Sequence, residues 1–385
     1  LFIVVFFSTS LSFIKSIYFD GYEQNNLTRL IKSVFFFRFY IFLLIIYLLS
    51  EYNLINFKYF FLSAALSSFL ISVDVIFQYS FGFNIIGLES YGQHNTSFFG
   101  DELISGGFIQ NFSFFAILLA SYLLKNNRNY SRVMLIAVTI CTLCVGIMVS
   151  GNRMPFLLFL FGLFLVYFFN KKLRKIILSS SIILLIVLGA IIPTNNQLKI
   201  NFMSLYGNGK ETVRVLFERI KASEEEVMKK EKEQFLNESA ERDGYTKIIS
   251  TGIETWKLHK VFGNGIKAFR EDCKRIIEEQ KRGACANHPH NYHLEILTDL
   301  GILGFLFTTT LALIFILFLI KNYKFLSGEN LANLFLLAAI ISLVLEVFPI
   351  KSTGSIFSTN NTAYVTLMSG IILSRKKILE GKNFG

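Results

Sequence analysis

Ten apolar runs, parted by polar loops, leave this chain few ways to fold. They lie near 2–14, 34–50, 59–80, 106–124, 133–150, 156–169, 176–193, 302–320, 331–348 and 362–374. Apolar runs of about 18 residues or more read as membrane-crossing helices. Three of these runs are short, so their ends are loosely set. The expected fold is therefore all-α, a polytopic transmembrane helical bundle of about ten crossings. The chain starts at Leu1, already inside an apolar run and without Met. The natural protein is expected to be longer by one or two helices, up to about twelve in all. Residues 1–14 do not read as a signal peptide, because no small-residue cleavage site follows them.

Lys and Arg orient such helices, because the cytoplasmic loops carry the excess of them. Basic clusters sit at Lys125/Arg128/Arg132, Lys171/Lys172/Arg174/Lys175, Lys321/Lys324 and Arg375/Lys376/Lys377/Lys382. These are alternate loops, which places that side in the cytoplasm. The opposite loops 81–105, 151–155 and 349–361 hold only Arg153 and Lys351 between them. Loop 15–33 dissents, with Lys15, Arg29 and Lys32 on the outer side. The net charge of +11 is thus mostly topological. Nucleic acid is not an expected partner, since no basic soluble domain is present.

One large insertion, 194–292, changes the composition abruptly. The expected organisation is N-terminal transmembrane helices over 1–193, a large outer loop with amphipathic helices over 194–292, and C-terminal transmembrane helices over 293–385. Within the loop, Val213, Leu216, Phe217 and Ile220 recur at helical spacing, and a charged helix follows. Residues 246–260 form a second helical stretch, and 261–269 turn through Gly263 and Gly265. Cys141 and Cys144 fall in an apolar helix and read as inert. Cys273 and Cys285 fall in the outer loop, where an oxidising compartment would join them in a disulfide.

Three of the five histidines lie in His288-Pro289-His290-Asn291-Tyr292-His293, at the mouth of an apolar, glycine-marked helix. At 100° per residue, His290, Leu294, Leu297, Gly301 and Gly304 share one face, with Glu295 and Asp299 opposite. The stripe predicts close packing on a neighbouring helix. His290 is a candidate general base or orienting donor, the alternative being a polar helix cap. Asn291 is placed to cap the helix. His293 lies about 60° off the stripe, so it and His288 are the weaker partners. The spacing of Cys285, His288, His290 and His293 fits no trusted metal-ligand pattern, and no metal is expected. No nucleotide-binding loop and no Asp-x-Asp pair occurs, which leaves ATP and sugar-nucleotide chemistry unsupported.

Arg153 stands between two hydrophobic helices, where a charge is expensive unless paired or functional. Its planar fork suits bidentate anion binding; a snorkelling arginine among lipid headgroups is the alternative. Arg270, directly after the Gly-rich turn, and Arg242, before the 246–260 helix, are further candidate cations. Arg38 sits in the 34–50 helix, at an interface or lining a cavity.

The histidine segment resembles the signature of the bacterial O-antigen ligase and O-antigen polymerase superfamily. That signature is His, then Asn, Ser or Gln, nine residues, Gly, two residues, then Gly, Thr or Tyr. His290, Asn291, Gly301 and Gly304 fit each specified position. Ser150-Gly151-Asn152-Arg153 resembles the family's Ser-x-x-Arg helix start. Trp256 followed by Gly263-Asn264-Gly265-Ile266-Lys267-Ala268-Phe269 resembles its Gly-x-Gly-x-x-x-Phe loop.

The resemblance implies a fold similar to the GT-C-like lipid-linked-sugar glycosyltransferases. It implies a donor glycan on undecaprenyl pyrophosphate and transfer at the periplasmic face of the inner membrane. The acceptor would be lipid A-core for a ligase or a growing glycan for a polymerase; a protein O-glycosyltransferase is a further variant. Arg153 with Arg270, Arg242 or Arg38 would bind pyrophosphate, His290 would act on the acceptor, and no cofactor would be needed. A transporter of lipid-linked glycans is the competing class. Against it, the sequence shows neither an inverted repeat nor a helix pair broken at mid-membrane.

Overall fold

The computed structural model describes residues 1–20, 24–91, 94–126, 129–191, 244–280, 284–321, 326–352 and 354–380. The expected amphipathic helix near 213–220, the charged segment after it, Arg128, Lys324, Lys382 and Arg242 all lie outside these residues. Each of the ten apolar runs coincides with a helix. They are α1 (Phe2–Lys15), α3 (Arg38–Glu51), α4 (Phe57–Phe81), α5 (Ser105–Leu123), α6 (Asn129–Val149), α7 (Arg153–Phe169), α8 (Arg174–Ile191), α11 (Tyr292–Lys321), α12 (Leu331–Glu346) and α13 (Thr359–Leu373). Between them come α2 (Gln24–Phe35), α9 (Gly244–Leu258), α10 (Phe269–Gln280) and the short α14 (Arg375–Leu379).

Among the described residues, five stretches are long and apolar enough to cross a membrane: Asn26–Glu51, Phe57–Phe81, Ser105–Leu123, Tyr130–Val149 and Tyr292–Lys321. Phe2–Tyr18, Arg153–Phe169 and Leu331–Glu346 are shorter apolar helices. On α11, Leu306, Leu311, Leu313, Ile314, Leu317 and Ile320 are exposed, as lipid-facing side chains are in a chain that spans a membrane. The fold is that of a helical, multi-pass membrane protein.

The chain forms two compact units. One comprises Leu43–Met203, Leu319–Phe348 and Val365–Gly385. Here α5 lies against α4, α6, α7 and α12. Helix α12 is buried along nearly its whole length, and Phe335 meets the rings of Phe57, Phe61 and Phe115 at centroid distances of 5.4, 5.5 and 5.8 Å. Buried polar side chains then hold the loops. The Asp74 carboxylate on α4 accepts from the Ile85 amide (2.9 Å) and the Ser97 hydroxyl (2.5 Å). Gln78, one turn on, accepts from the Ser97 amide at 2.8 Å. Such groups must be paired, because an orphan would keep its full desolvation cost.

Contacts in this unit also group the loops by side. Buried Arg132 donates to Glu329 and the Ser121 hydroxyl, at 2.9 and 2.8 Å. Asn170 donates to the Leu326 and Gly328 carbonyls. Lys377 pairs with Glu51 at 3.7 Å. All are loops that the charge rule assigns to one side. At the other end Asn152 donates to Leu103 O and accepts from Gly106 N, and Asn95 donates to Val149 O at 2.5 Å.

The second unit comprises Leu1–Phe42, Ser204–Phe318 and Pro349–Tyr364. It accounts for one of the three cations by which loop 15–33 breaks the charge rule. Arg29 is buried, donates to Asn264 O (3.1 Å) and to the Asn26 side chain, and lies 3.6 Å from Glu271. Its charge is matched by a local carboxylate, so it carries no topological information. Helix α2 turns Asn26, Arg29 and Ser33 inward and leaves Leu27, Ile31, Val34 and Phe35 exposed. That inside-out pattern suits a helix bathed in lipid on its outer face.

Candidate active site

The candidate site is built in the second unit, where α11 begins. Helix α9 brings Ile249 and Ile253 against Leu294 of α11, with Trp256 and Leu297 at the edge of the cluster. The Trp256 indole donates to Lys260 O at 3.2 Å, which fixes the start of the turn into Gly263. The turn then meets α11 backbone to backbone. A Cβ on Gly263 would collide with the Asp299 carbonyl, and one on Gly301 with the Val261 carbonyl. Both glycines have positive φ, +70° and +66°. Only glycine meets both demands without strain.

The sequence predicts a straight helix from His290 to Gly304, and the structure corrects it. His290 precedes α11 in left-handed backbone, φ +55°, so the 100° rotation does not start there. At Gly301 the helix breaks, with φ 66° and ψ −168°. The amides freed by the break are not lost: Ile302 N donates to Lys260 O (2.9 Å) and Leu303 N to Val261 O (3.3 Å). A Cβ on Gly304 would collide with the Leu300 side chain across the break. The Gly301 surface is thus a seat for the Gly263 turn, where the sequence suggested a smooth stripe for another helix. Gly265 in turn approaches α1 closely: a Cβ there would lie 3.0 Å from Thr9 Cα.

Glu295 and Asp299 are the residues that sequence reasoning undervalued. Both are buried. Asp299 accepts from the Lys267 amide (2.5 Å) and the Phe269 amide (3.3 Å), capping α10, while its carbonyl accepts from Gly265 N at 2.8 Å. Ser8 of α1 donates to the same carbonyl at 3.1 Å. Glu295 accepts from the Ser355 hydroxyl (2.5 Å) and the Ile356 amide (2.7 Å). Two carboxylates one helical turn apart therefore bind two different loops to the head of α11. The only sequence signal for them was acidic residues in an apolar helix, which are expensive unless they serve a partner.

His290 is held from both sides. The Asn291 side chain accepts from Leu294 N at 3.0 Å, capping α11 as its residue type predicts, and donates to the carbonyls of Pro349 (2.7 Å) and Lys351 (3.3 Å). The His288 ring packs against that of His290, centroids 4.3 Å apart and planes tilted at 58°. His293 instead lies against Phe305 at 6.4 Å. Cys273 and Cys285, with Cα atoms 5.5 Å apart, are disulfide-bonded and tie α10 to the stretch of chain leading to the histidines. Cys285 is therefore not a thiolate that could bind a metal, and no cluster of three or more His, Cys, Asp or Glu with metal-binding geometry occurs among the described residues.

Of the four candidate arginines, Arg270 and Arg38 are described residues of the second unit. Arg270, on the first turn of α10, has a buried Nε with no hydrogen-bond partner among the described residues. Arg38 is exposed, lies over the Phe39 ring at 4.8 Å and donates to the Thr359 hydroxyl at 2.8 Å. A cation that the sequence did not single out, Lys267, is half-buried in left-handed backbone, φ +60°. Burial, then the neighbouring charges of Arg270 and Lys32, push its ammonium below the ordinary lysine range, against a weaker pull from Glu295 and Asp299. Burial likewise pushes the Asp272 carboxyl up, opposed by two 3.1 Å hydrogen bonds from Asn264. Arg153 belongs to the first unit, where it is the exposed opening residue of α7, after Asn152.

No curated protein and no solved structure matches the chain. Residues 137–309 match a protein-family model described as O-antigen ligase. That span holds Arg153, the Gly263 turn, the disulfide and the histidine corner. Over residues 137–309 the chain is thus similar to the O-antigen ligase family.

Proposed function

We propose that the chain is an O-antigen ligase: a glycosyltransferase that moves a glycan from undecaprenyl pyrophosphate onto lipid A-core. The observation that carries the reading is the His290 corner inside the matched domain, a histidine held in left-handed backbone by Asn291 and braced at the mouth of α11. Strained backbone persists where its surroundings enforce it, and such positions cluster at functional sites.

The chemistry follows from the groups present. The acceptor hydroxyl oxygen bonds to the anomeric carbon of the donor sugar. The bond from that carbon to the pyrophosphate oxygen breaks, and the lipid pyrophosphate leaves with the electron pair. The hydroxyl proton passes to His290. Negative charge grows on the leaving pyrophosphate, so preplaced cations lower the barrier. Arg153, Arg270, Arg242 and Arg38 are the proposed cations, and Lys267 joins them. No ATP is required, because the sugar–phosphate bond is already activated, and no cofactor is invoked.

The same reading places the protein in the bacterial inner membrane as a bundle of about ten crossings, similar to the GT-C-like lipid-linked-sugar glycosyltransferases. Loop 194–292 would face the periplasm. The isoprenoid chain would run between helices, with membrane lipids around it, and its pyrophosphate would stay at the interface. An assay with purified protein and a lipid-pyrophosphate-linked glycan tests this. Donor consumption that requires lipid A-core supports the ligase. Consumption with chain growth on donor alone makes it a polymerase, and transfer to a polypeptide makes it a protein glycosyltransferase. Donor movement across vesicles without bond cleavage would replace the enzyme reading by a transporter.

A further inference from the structure

Where α9 runs into the Gly-rich turn, the side chains that face outward are apolar. Leu258, Val261 and Phe262 are exposed, at 38%, 50% and 42%. A turn in water shows polar side chains and can leave its carbonyls to the solvent. This one does the reverse. Lys260 O accepts from Ile302 N (2.9 Å) and from the Trp256 indole (3.2 Å), Val261 O from Leu303 N (3.3 Å), and Phe262 O from the Ser8 hydroxyl (2.5 Å). Three successive carbonyls are thus satisfied by donors of the protein itself. Backbone needs such pairing where no water reaches it, as in lipid.

The same hydrogen bonds set the depth of the turn. Residues 302–320 of α11 hold no charged side chain and lie between Asp299 and Lys321. At 1.5 Å per residue that stretch is about 28 Å long, close to the ~30 Å hydrocarbon core of a bilayer. Its first two residues are the ones whose amides bond Lys260 and Val261, so the turn lies at one boundary of the hydrocarbon. Exposed Leu303 and Leu306 on α11 and exposed Phe7 on α1 extend its apolar surface, and the Phe7 and Phe262 rings meet at 5.9 Å. Lys260 is exposed beside the apolar pair, and Trp256 lies one turn back. Lysine and tryptophan are residue types that anchor a chain at a membrane interface.

We propose that the 258–262 turn dips into the bilayer, with Leu258, Val261 and Phe262 among lipid acyl chains and Lys260 at the headgroups. Lipid is the occupant, and not a second copy of the chain, because the patch is continuous with the exposed apolar side of α11. The turn leads into Lys267 and Arg270, so its anchorage holds those cations near the boundary where the proposed transfer needs them. That consequence rests on the transferase reading; the lipid contact does not.

The chain has one tryptophan, so its fluorescence can be moved to the turn. In a Trp256→Phe background of the full chain, Phe262→Trp is placed in vesicles of phosphatidylcholine brominated near the headgroup end or near the methyl end of its acyl chains. Iodide, supplied on both faces, probes exposure to water. The Phe262→Trp emission loses most of its intensity to headgroup-end bromine, less to methyl-end bromine and little to iodide. Val261→Trp in the same background gives the same order and covers the case in which the first variant misfolds. Leu311→Trp, at the middle of the apolar stretch, is the reference and is quenched most by methyl-end bromine. Quenching of the turn by iodide and not by bromine puts it in water and overturns the proposal. Protection from both quenchers means that protein covers it, another part of the chain or a second copy, and overturns it equally. A Leu311→Trp signal that bromine leaves intact would remove α11 from the bilayer and the proposal with it. A wild-type chain that transfers nothing sinks the transferase reading alone, and the quenching order still decides the lipid contact.

Discussion

Gly263 and Gly301 each occupy the one position at which the other's chain segment leaves no room for a side chain. A Cβ at either would strike backbone of the opposite segment, and both residues sit at positive φ. The contact joins the Gly-rich turn to the head of α11 through the Ile302 and Leu303 amides. Gly301→Ala should therefore destabilise by about 1–3 kcal/mol, as overpacking of a close contact does. Gly263→Ala should do the same, and the double variant should cost less than the sum, because the first substitution already parts the segments. Thermal unfolding in detergent measures all three. Additive losses would show that the two glycines act independently.

Glu295 links the same helix head to the loop after Pro349. Its carboxylate accepts from Ser355 and from the Ile356 amide, and Asn291 grips Pro349 and Lys351 one turn earlier. Glu295→Ala leaves the buried Ile356 amide without its acceptor, at a cost of about 1–3 kcal/mol. The loss should appear locally, as faster hydrogen exchange at Ile356 and Phe357. Unchanged exchange at those amides would mean that the loop is held by other contacts.

How much of this was legible depends on the range of each interaction. The apolar runs were readable because length and hydropathy alone decide an apolar helix, and each run coincides with a helix, though only five stretches among the described residues are long and apolar enough to cross a membrane. Asn291 was readable as a cap because its role is local. The break at Gly301 was not. Glycine at that spacing fits a smooth stripe as well as a break, and the deciding partner, the Val261–Gly263 backbone, lies far back in the sequence. Glu295 and Asp299 were misjudged for the same reason, since their partners are at 355–356 and 267–269. Arg29 reads as a topological charge until Glu271 and Asn264 are seen beside it.

Lys267 offers a pH-dependent prediction. Its ammonium is pushed below the ordinary lysine value by burial and by Arg270 and Lys32. Between its folded-state pKa and the unfolded value of 10.5 the unfolded chain binds more protons, so this residue's contribution to stability improves as pH rises through that window. Below the window the full penalty of a half-buried cation is present. Lys267→Met should accordingly raise the melting temperature at pH 7, with the gain shrinking towards pH 10. If Lys267 also serves the pyrophosphate, the same variant raises the donor KM. A lower melting temperature at pH 7 would show that the ammonium is stabilised by partners that outweigh its burial.

His290→Ala should reduce transfer by about 10²–10⁴-fold, the usual contribution of a positioned general base, without abolishing donor binding. His293→Ala should be milder, because that ring lies against Phe305 and outside the His288–His290 ring pair. Single-turnover assays with equilibrium donor binding separate the two effects. Near-normal transfer by His290→Ala would reduce the corner to a structural cap.

Arg153 opens α7, so its guanidinium and the positive end of the helix dipole add at the same place. Asn152, just before it, is fixed to Leu103 and Gly106, which steadies the backbone that carries the arginine. A lysine there would keep the charge and lose the planar fork that binds two phosphate oxygens at once. Arg153→Lys should therefore insert normally, bind lipid pyrophosphate more weakly and turn over more slowly; Arg153→Ala should weaken binding further. Wild-type donor affinity and turnover in both variants would return Arg153 to the membrane surface, as a side chain that reaches lipid headgroups and takes no part in the reaction.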